Sequence, residues 1–186
     1  MEVVLPASLQ PMLQRTQSDS RPVVVMTCGI AGAGKTTLAN SILKQYPQFT
    51  KISIDPIIFS AHGIYGIDYP ASEPLYDQYQ DEADAVYLQN FLELLDEGKD
   101  IVLERSFYAK QDRNEFRSIA EKHGARVVLV FLRAKEKEVL WNRIYRRSLN
   151  KKTADSAFDI SRETFEMYWN GFDNPEDEGE IVIEVN

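Results

Sequence analysis

At 186 residues and 44% apolar side chains, the chain is long enough to bury one compact core. A formal net charge of −8 excludes broad electrostatic binding to nucleic acid, which needs a basic surface, and leaves room only for a local basic cleft. The single cysteine, Cys28, excludes an internal disulfide and fits a reducing compartment. No apolar run approaches the length of a membrane span, and no basic region precedes an apolar core at the start, so the expected setting is the cytoplasm with no membrane.

Residues 1–21 read as a flexible leader. Pro6, Pro11 and Pro22 interrupt it, and only a short helix around Ser8–Arg15 is expected there. Residues 22–186 read as the folded domain. The run Val23-Val24-Val25-Met26-Thr27-Cys28 predicts a buried strand. Directly after it, Gly29-Ile30-Ala31-Gly32-Ala33-Gly34-Lys35-Thr36 is a complete G-x-x-x-x-G-K-[ST] phosphate loop, followed from Thr37 by a helix to about Tyr46. Glycines allow backbone N–H groups to close around phosphate oxygens, and the helix N-terminus adds partial positive charge. Gly29 to Thr37 are therefore the expected nucleotide contacts. Lys35 has the reach for the β- and γ-phosphates, and the Thr36 hydroxyl suits Mg²⁺.

Phe49–Ile54 predicts a second strand that delivers Asp55 to its carboxyl end. A carboxylate there can take the proton of an acceptor hydroxyl or bind Mg²⁺; it can also cap a short helix over Ile57–Ala61, with Pro56 at its first position. The loop Gly63–Pro74, with Tyr65, Asp68, Tyr69 and neighbouring His62 and Tyr76, suits an acceptor-binding segment or a surface loop packed on the next helix. That helix is predicted over Leu75–Asp96, with Gly98 ending it. Asp100–Leu103 is a third strand that ends at Glu104, which fits a metal or substrate contact or a partner of Arg105 or of another nearby basic residue. A helix over Asp112–His123, a buried strand over Arg126–Leu132, a helix over Lys135–Ser148 and a short strand over Ile181–Val185 follow. Arg143 and Arg147 share one face of their helix. They suit phosphate oxygens bidentately, as part of a lid that the strand before the helix and the polar loop 150–156 after it point to, or form a solvated face paired with Glu136 or Glu138.

Strands and helices alternate, which predicts an α/β domain with a mostly parallel sheet covered on both faces and ligands at the strands' carboxyl ends. The ordered set of phosphate loop, Ser53-Ile54-Asp55, Gly98 to Glu104, Arg143-x-x-x-Arg147, Asp159 to Phe165 and Asn174-Pro175 resembles the small AAA-33-type P-loop kinases. Those are related to the zeta-toxin, chloramphenicol phosphotransferase and gluconate kinase families. The resemblance spans about Val23 to Val185. It implies a three-layer P-loop NTPase (nucleotide kinase-like) with a five-stranded parallel sheet and an arginine-bearing lid. It also implies ATP with Mg²⁺ as cofactors and transfer to a hydroxyl, with Asp55 as general base and Arg143 and Arg147 as lid clamps. Two positions depart from the pattern: Ile58 stands where relatives often carry Arg, and Glu104 where the third-strand acid is usually Asp. The expected function is an ATP- and Mg-dependent kinase acting on a small-molecule hydroxyl. The alternatives are a 5′-hydroxyl nucleic-acid kinase, set back by the acidic balance, and a nucleotide-binding regulatory protein without transfer activity.

Overall fold

A computed structural model describes residues 4–150 and 160–186. The predicted polar lid segment from 151 onward lies outside the described residues, as does Asp159. Five strands, β1 (Val23–Cys28), β2 (Phe49–Ser53), β3 (Asp100–Glu104), β4 (Arg126–Ala134) and β5 (Ile181–Val185), form one sheet in the order β2-β3-β1-β4-β5. Every pairing is parallel. Six α-helices connect or cover them among the described residues: α1 (Lys35–Gln45), α2 (Ile54–His62), α3 (Glu73–Asp96), α4 (Lys110–Lys122), α5 (Lys137–Ser148) and α6 (Arg162–Gly171). Parallel neighbours need crossover connections, and α1, α3, α4 and α5 lie in those connections.

The unbroken apolar run of β1 is explained by burial on both sides of the sheet. Val23 and Val25 face a core built with Leu38, Ala39 and Ile42 of α1, Leu140 and Ile144 of α5 and Phe165 of α6. Val24, Met26 and Cys28 face a second core, built with Tyr87, Phe91 and Leu95 of α3 and Phe116 and Ala120 of α4. The result is a three-layer arrangement with the phosphate loop at the top of its central strand.

Two elements differ from the sequence expectation. The leader is docked rather than flexible: Leu5, Leu9 and Leu13 are fully buried in the α1-side core. Their spacing of four places them along one side of the segment, and a short 3₁₀ turn at Gln10–Leu13 replaces the expected helix. The prolines prevent a longer helix without preventing burial. Polar contacts pin the segment further, with Arg15 Nη2 donating to Gly98 O at 2.7 Å and Arg126 Nη2 donating to Gln14 O at 2.8 Å. The second difference is α6, which sequence reasoning passed over. Its start is encoded by Ser161, whose hydroxyl accepts from the Thr164 amide at 3.1 Å as an N-cap.

If the leader contributes to the core, Leu9→Ala costs about 2–5 kcal/mol of stability. Urea unfolding monitored by circular dichroism reads this directly, and an unchanged midpoint would contradict the docking.

Candidate nucleotide and phosphoryl-transfer site

Three glycines give the phosphate loop its shape, and two show why no other residue serves. Gly34 has φ +102 and precedes the first turn of α1; Leu38 N already donates to its carbonyl at 2.9 Å. Gly32 has φ +80, and a Cβ there would sit 2.8 Å from Leu140 O and 3.1 Å from Ile144 Cγ1. Helix α5 thus packs directly on the loop. The first turn of α1 carries no acidic side chain of its own, which leaves the positive end of the helix dipole at the loop uncompensated from within the helix. Ile30 and Ala33 are buried and hold the loop down, whereas Ala31 and Thr36 are half-buried and Thr37 is exposed. Gly29 N donates to Ser106 O at 3.0 Å, which ties the loop to the segment after β3.

Lys35 folds back over the loop, and its Nζ donates to Ile30 O at 3.0 Å. Burial pushes its pKa down, while the nearby charges of Glu104 and Asp55 oppose that shift and Arg147 reinforces it. One ammonium therefore lies in the field of both strand-end acids and of a predicted lid arginine. Arg143 is close as well, with Nη1 4.0 Å from where a Cβ on Gly34 would sit, and its Nη2 donates to Asn186 O at 2.8 Å. Both arginines are exposed on α5. Neither pairs with Glu138, which is held by Arg162 of α6.

The β1–β3 pairing sets Thr27 against Glu104. Glu104 is buried, and its Oε1 accepts a short hydrogen bond from Thr36 Oγ1. Its other oxygen, Oε2, is fully buried without a hydrogen bond and lies 3.5 Å from Lys51 Nζ. Arg105 is not the partner of Glu104, since it points the other way and donates to Asp84 at 2.8 Å. Lys51 was missed by sequence reasoning. A lysine between Thr50 and Ile52 in a strand is the signal that could have found it; the register sets it beside Val102, two residues before the acid, and its side chain reaches the carboxylate. Lys51 also donates to Asn40 Oδ1 at 3.0 Å.

Asp55 lies in the first turn of α2, which begins directly after β2 with no intervening loop. Ser53, not Asp55, is the N-cap residue. The Asp55 carboxylate is half-buried, and its Oδ1 stands 3.5 Å from the Tyr76 hydroxyl of α3. Ile58, one turn further along, is buried in an apolar cluster with Tyr69, Tyr76 and Ala83. The structure thus brings Lys35, Thr36, Glu104, Asp55 and Arg147 into one electrostatic neighbourhood, with Arg143 above the loop.

A hydroxyl and a carboxylate with a buried, unbonded oxygen are the hard oxygen donors that Mg²⁺ takes. No group of three or more His, Cys, Asp or Glu side chains suited to a metal occurs among the described residues.

Fold and site together define a P-loop domain of the kinase-like type, which implies nucleotide binding. The AAA_33 family model (AAA domain) matches residues 24–175, and the chain belongs to that family. No curated protein matches it. Among solved structures it is similar to a gluconokinase from Sinorhizobium meliloti, with 17% identity, a TM-score of 0.51, and coverage of 89% of this chain and 82% of that one. It is also similar to Chaetomium thermophilum Kti12 in complex with ADP-AlF3, with 16% identity, a TM-score of 0.63 and coverage of 87% and 88%. A chain of the Pnkp1/Rnl/Hen1 RNA repair complex matches at 14% identity and a TM-score of 0.63, over 81% of this chain and 44% of that one. At these identities the likeness shows the fold.

Two outcomes test this geometry. Gly32→Ala forces a Cβ against α5 in a left-handed backbone, so calorimetric titration with ADP is expected to show at least a tenfold loss of affinity, roughly 1.4 kcal/mol. Equal affinity would mean the loop is not shaped as described. Burial pushes the Cys28 thiol up to about 12, so iodoacetamide at pH 8 should leave the folded protein unlabelled and label it fully in urea.

Proposed function

We propose that this protein is an ATP- and Mg²⁺-dependent phosphotransferase that moves the γ-phosphate of ATP to a hydroxyl group of a small molecule. The observation that carries the reading is the single neighbourhood formed by Lys35, Asp55 and Glu104 at the carboxyl ends of adjoining strands. A nucleotide store needs the loop and its lysine alone. A second acid, held apart from the first and close to the γ-phosphate position, is what proton removal from an acceptor requires.

In this reading the amides of residues 30–37 cradle the phosphates, and Lys35 leaves Ile30 O to neutralise the β- and γ-phosphate oxygens. Thr36 and Glu104 would hold Mg²⁺, which would supply charge neutralisation on the phosphate oxygens. The acceptor hydroxyl gives its proton to Asp55 as its oxygen forms the new bond to the γ-phosphorus. The bond from that phosphorus to the β–γ bridging oxygen breaks, and ADP leaves with the electron pair. Arg143 and Arg147 stabilise the charge spread over the transferring group from the α5 side. The buried thiol of Cys28 takes no part, and a reducing, cytoplasmic setting suits it. No helix among the described residues is long and apolar enough to cross a membrane.

The test is transfer of labelled γ-phosphate from Mg·ATP to a fractionated pool of metabolites and 5′-hydroxyl oligonucleotides. Lys35→Ala is expected to lose transfer by at least about 10²-fold. Asp55→Asn is expected to keep nucleotide affinity and lose about 10²–10⁴-fold in kcat. Asp55→Asn turning over like wild type would contradict the base assignment. Tight nucleotide binding with no product in any fraction would replace the kinase reading with that of a nucleotide-dependent regulatory protein.

A further inference from the structure

Helix α1 and strands β2 and β3 share a chain of polar contacts on one side of the sheet. Phe49 and Val102 belong to the core on the α1 side. Lys51 and Glu104 stand two residues further along their strands, so both side chains leave the sheet on that same face. Thr36 and Asn40 are four apart on α1 and share one of its faces. Thr36 Oγ1 donates to Glu104 Oε1, and Lys51 Nζ donates to Asn40 Oδ1 at 3.0 Å. Between these two contacts, Lys51 Nζ lies 3.5 Å from Glu104 Oε2. The chain thus leaves α1 at Thr36, passes through an acid and a lysine, and returns to α1 one turn later.

Lysine side chains usually reach water, but that of Lys51 is only 16% exposed. Its ammonium faces the acid oxygen, Glu104 Oε2, that is fully buried without a hydrogen bond. Lys35 adds a second ammonium whose field reaches Glu104 from the loop side. In the nucleotide-free protein the acid is therefore already met by two cations. A bare divalent ion at Glu104 would be repelled by both, in a buried site where salt and water screen such repulsion weakly. Nucleotide phosphates reverse the balance, because they bring several negative charges to the loop and take Lys35 as their own partner.

Resting on the metal assignment made with the kinase reading, we infer that Lys51 is the resident counter-ion of the metal site. It occupies the Glu104 carboxylate in the free protein, keeps a bare divalent cation out, and yields that carboxylate to a metal that arrives with nucleotide. Asn40 accepts from the same ammonium, so the lysine keeps a partner when Glu104 turns to the metal. The positive charge of Lys51 carries this effect, not its bulk. A lysine that only held Glu104 in place would act with the opposite sign, since its removal would weaken metal binding.

The test uses the full chain and Mn²⁺, which takes the same oxygen ligands as Mg²⁺ and is counted by its paramagnetic resonance signal. Mn²⁺ binding is measured at pH 8 without nucleotide and with ADP, the latter against a protein-free ADP blank. The wild-type protein is expected to bind Mn²⁺ at least about tenfold more tightly with ADP than without. Lys51→Met keeps the stem and removes the charge, and Lys51→Gln keeps a polar group for Asn40. Both are expected to lower the nucleotide-free Kd for Mn²⁺ about tenfold or more, and adding Glu104→Gln to either is expected to abolish the gain. Lys51→Arg, which keeps the charge, is expected to bind as wild type, thermal unfolding showing that the variants fold. Unchanged or weaker nucleotide-free binding in Lys51→Met and Lys51→Gln overturns this inference and leaves the kinase reading standing. So does a gain that survives Glu104→Gln, or wild-type binding as tight without ADP as with it. No Mn²⁺ bound by the wild-type protein with ADP overturns the metal assignment and this inference together.

Discussion

The parallel pairing of β1 with β3, Val25 against Val102 and Thr27 against Glu104, brings two strands to the same height at their carboxyl ends. From the first of these strands the chain turns into the phosphate loop, and at the second it delivers a buried acid. The hydrogen bond from Thr36 to Glu104 closes the gap between them. Everything else at the site is arranged around that bridge. β2 pairs with β3 on its other side, which sets Ser53 against Glu104 and Lys51 against Val102, so that the Lys51 ammonium reaches the Glu104 carboxylate and Asp55 follows in the first turn of α2. β4 pairs with β1 on the opposite side, which leads α5 across the loop.

A buried carboxylate is costly unless something neutralises it, and here the neutralisation is shared. Thr36 donates to one oxygen and Lys51 stands beside the other. Lys35, partly desolvated, feels the same charge from the loop side. This sharing leaves Glu104 Oε2 without a hydrogen bond, a position that a hard cation fits better than an additional protein donor. The second core supports the arrangement from below. Arg113, fully buried, donates to Phe107 O and Asp173 O and forks onto Glu178, fixing the segment after β3 whose Ser106 carbonyl receives Gly29 N. The Arg113 guanidinium holds the Glu178 carboxyl below its usual range. A buried charged pair thus helps to fix the segment to which the phosphate loop is tied.

How much of this was legible in the sequence depended on the range of the interaction. The phosphate loop is a local feature, and its glycines, lysine and threonine announce themselves. The strands read as apolar runs because both sheet faces are covered, and Asp55 and Glu104 read as strand-end acids because each ends such a run. Long-range choices were not legible. Nothing near Lys51 says that β2 will lie beside β3, and nothing near Arg105 says that it will turn to Asp84. The leader misled because prolines argue against a helix, whereas Leu5, Leu9 and Leu13 needed only one buried side. Helix α6 was passed over because its cap and its single fully buried residue, Phe165, make a weak local signal.

The most direct measurement is a crystal structure of the protein with Mg²⁺ and a non-hydrolysable ATP analogue. The account predicts the triphosphate wrapped by the amides of residues 30–37, the metal bound by Thr36 Oγ1 with Glu104 beside it, and the γ-phosphate facing Asp55. A nucleotide bound with its γ-phosphate turned away from Asp55, or a metal held clear of both Thr36 and Glu104, would contradict it.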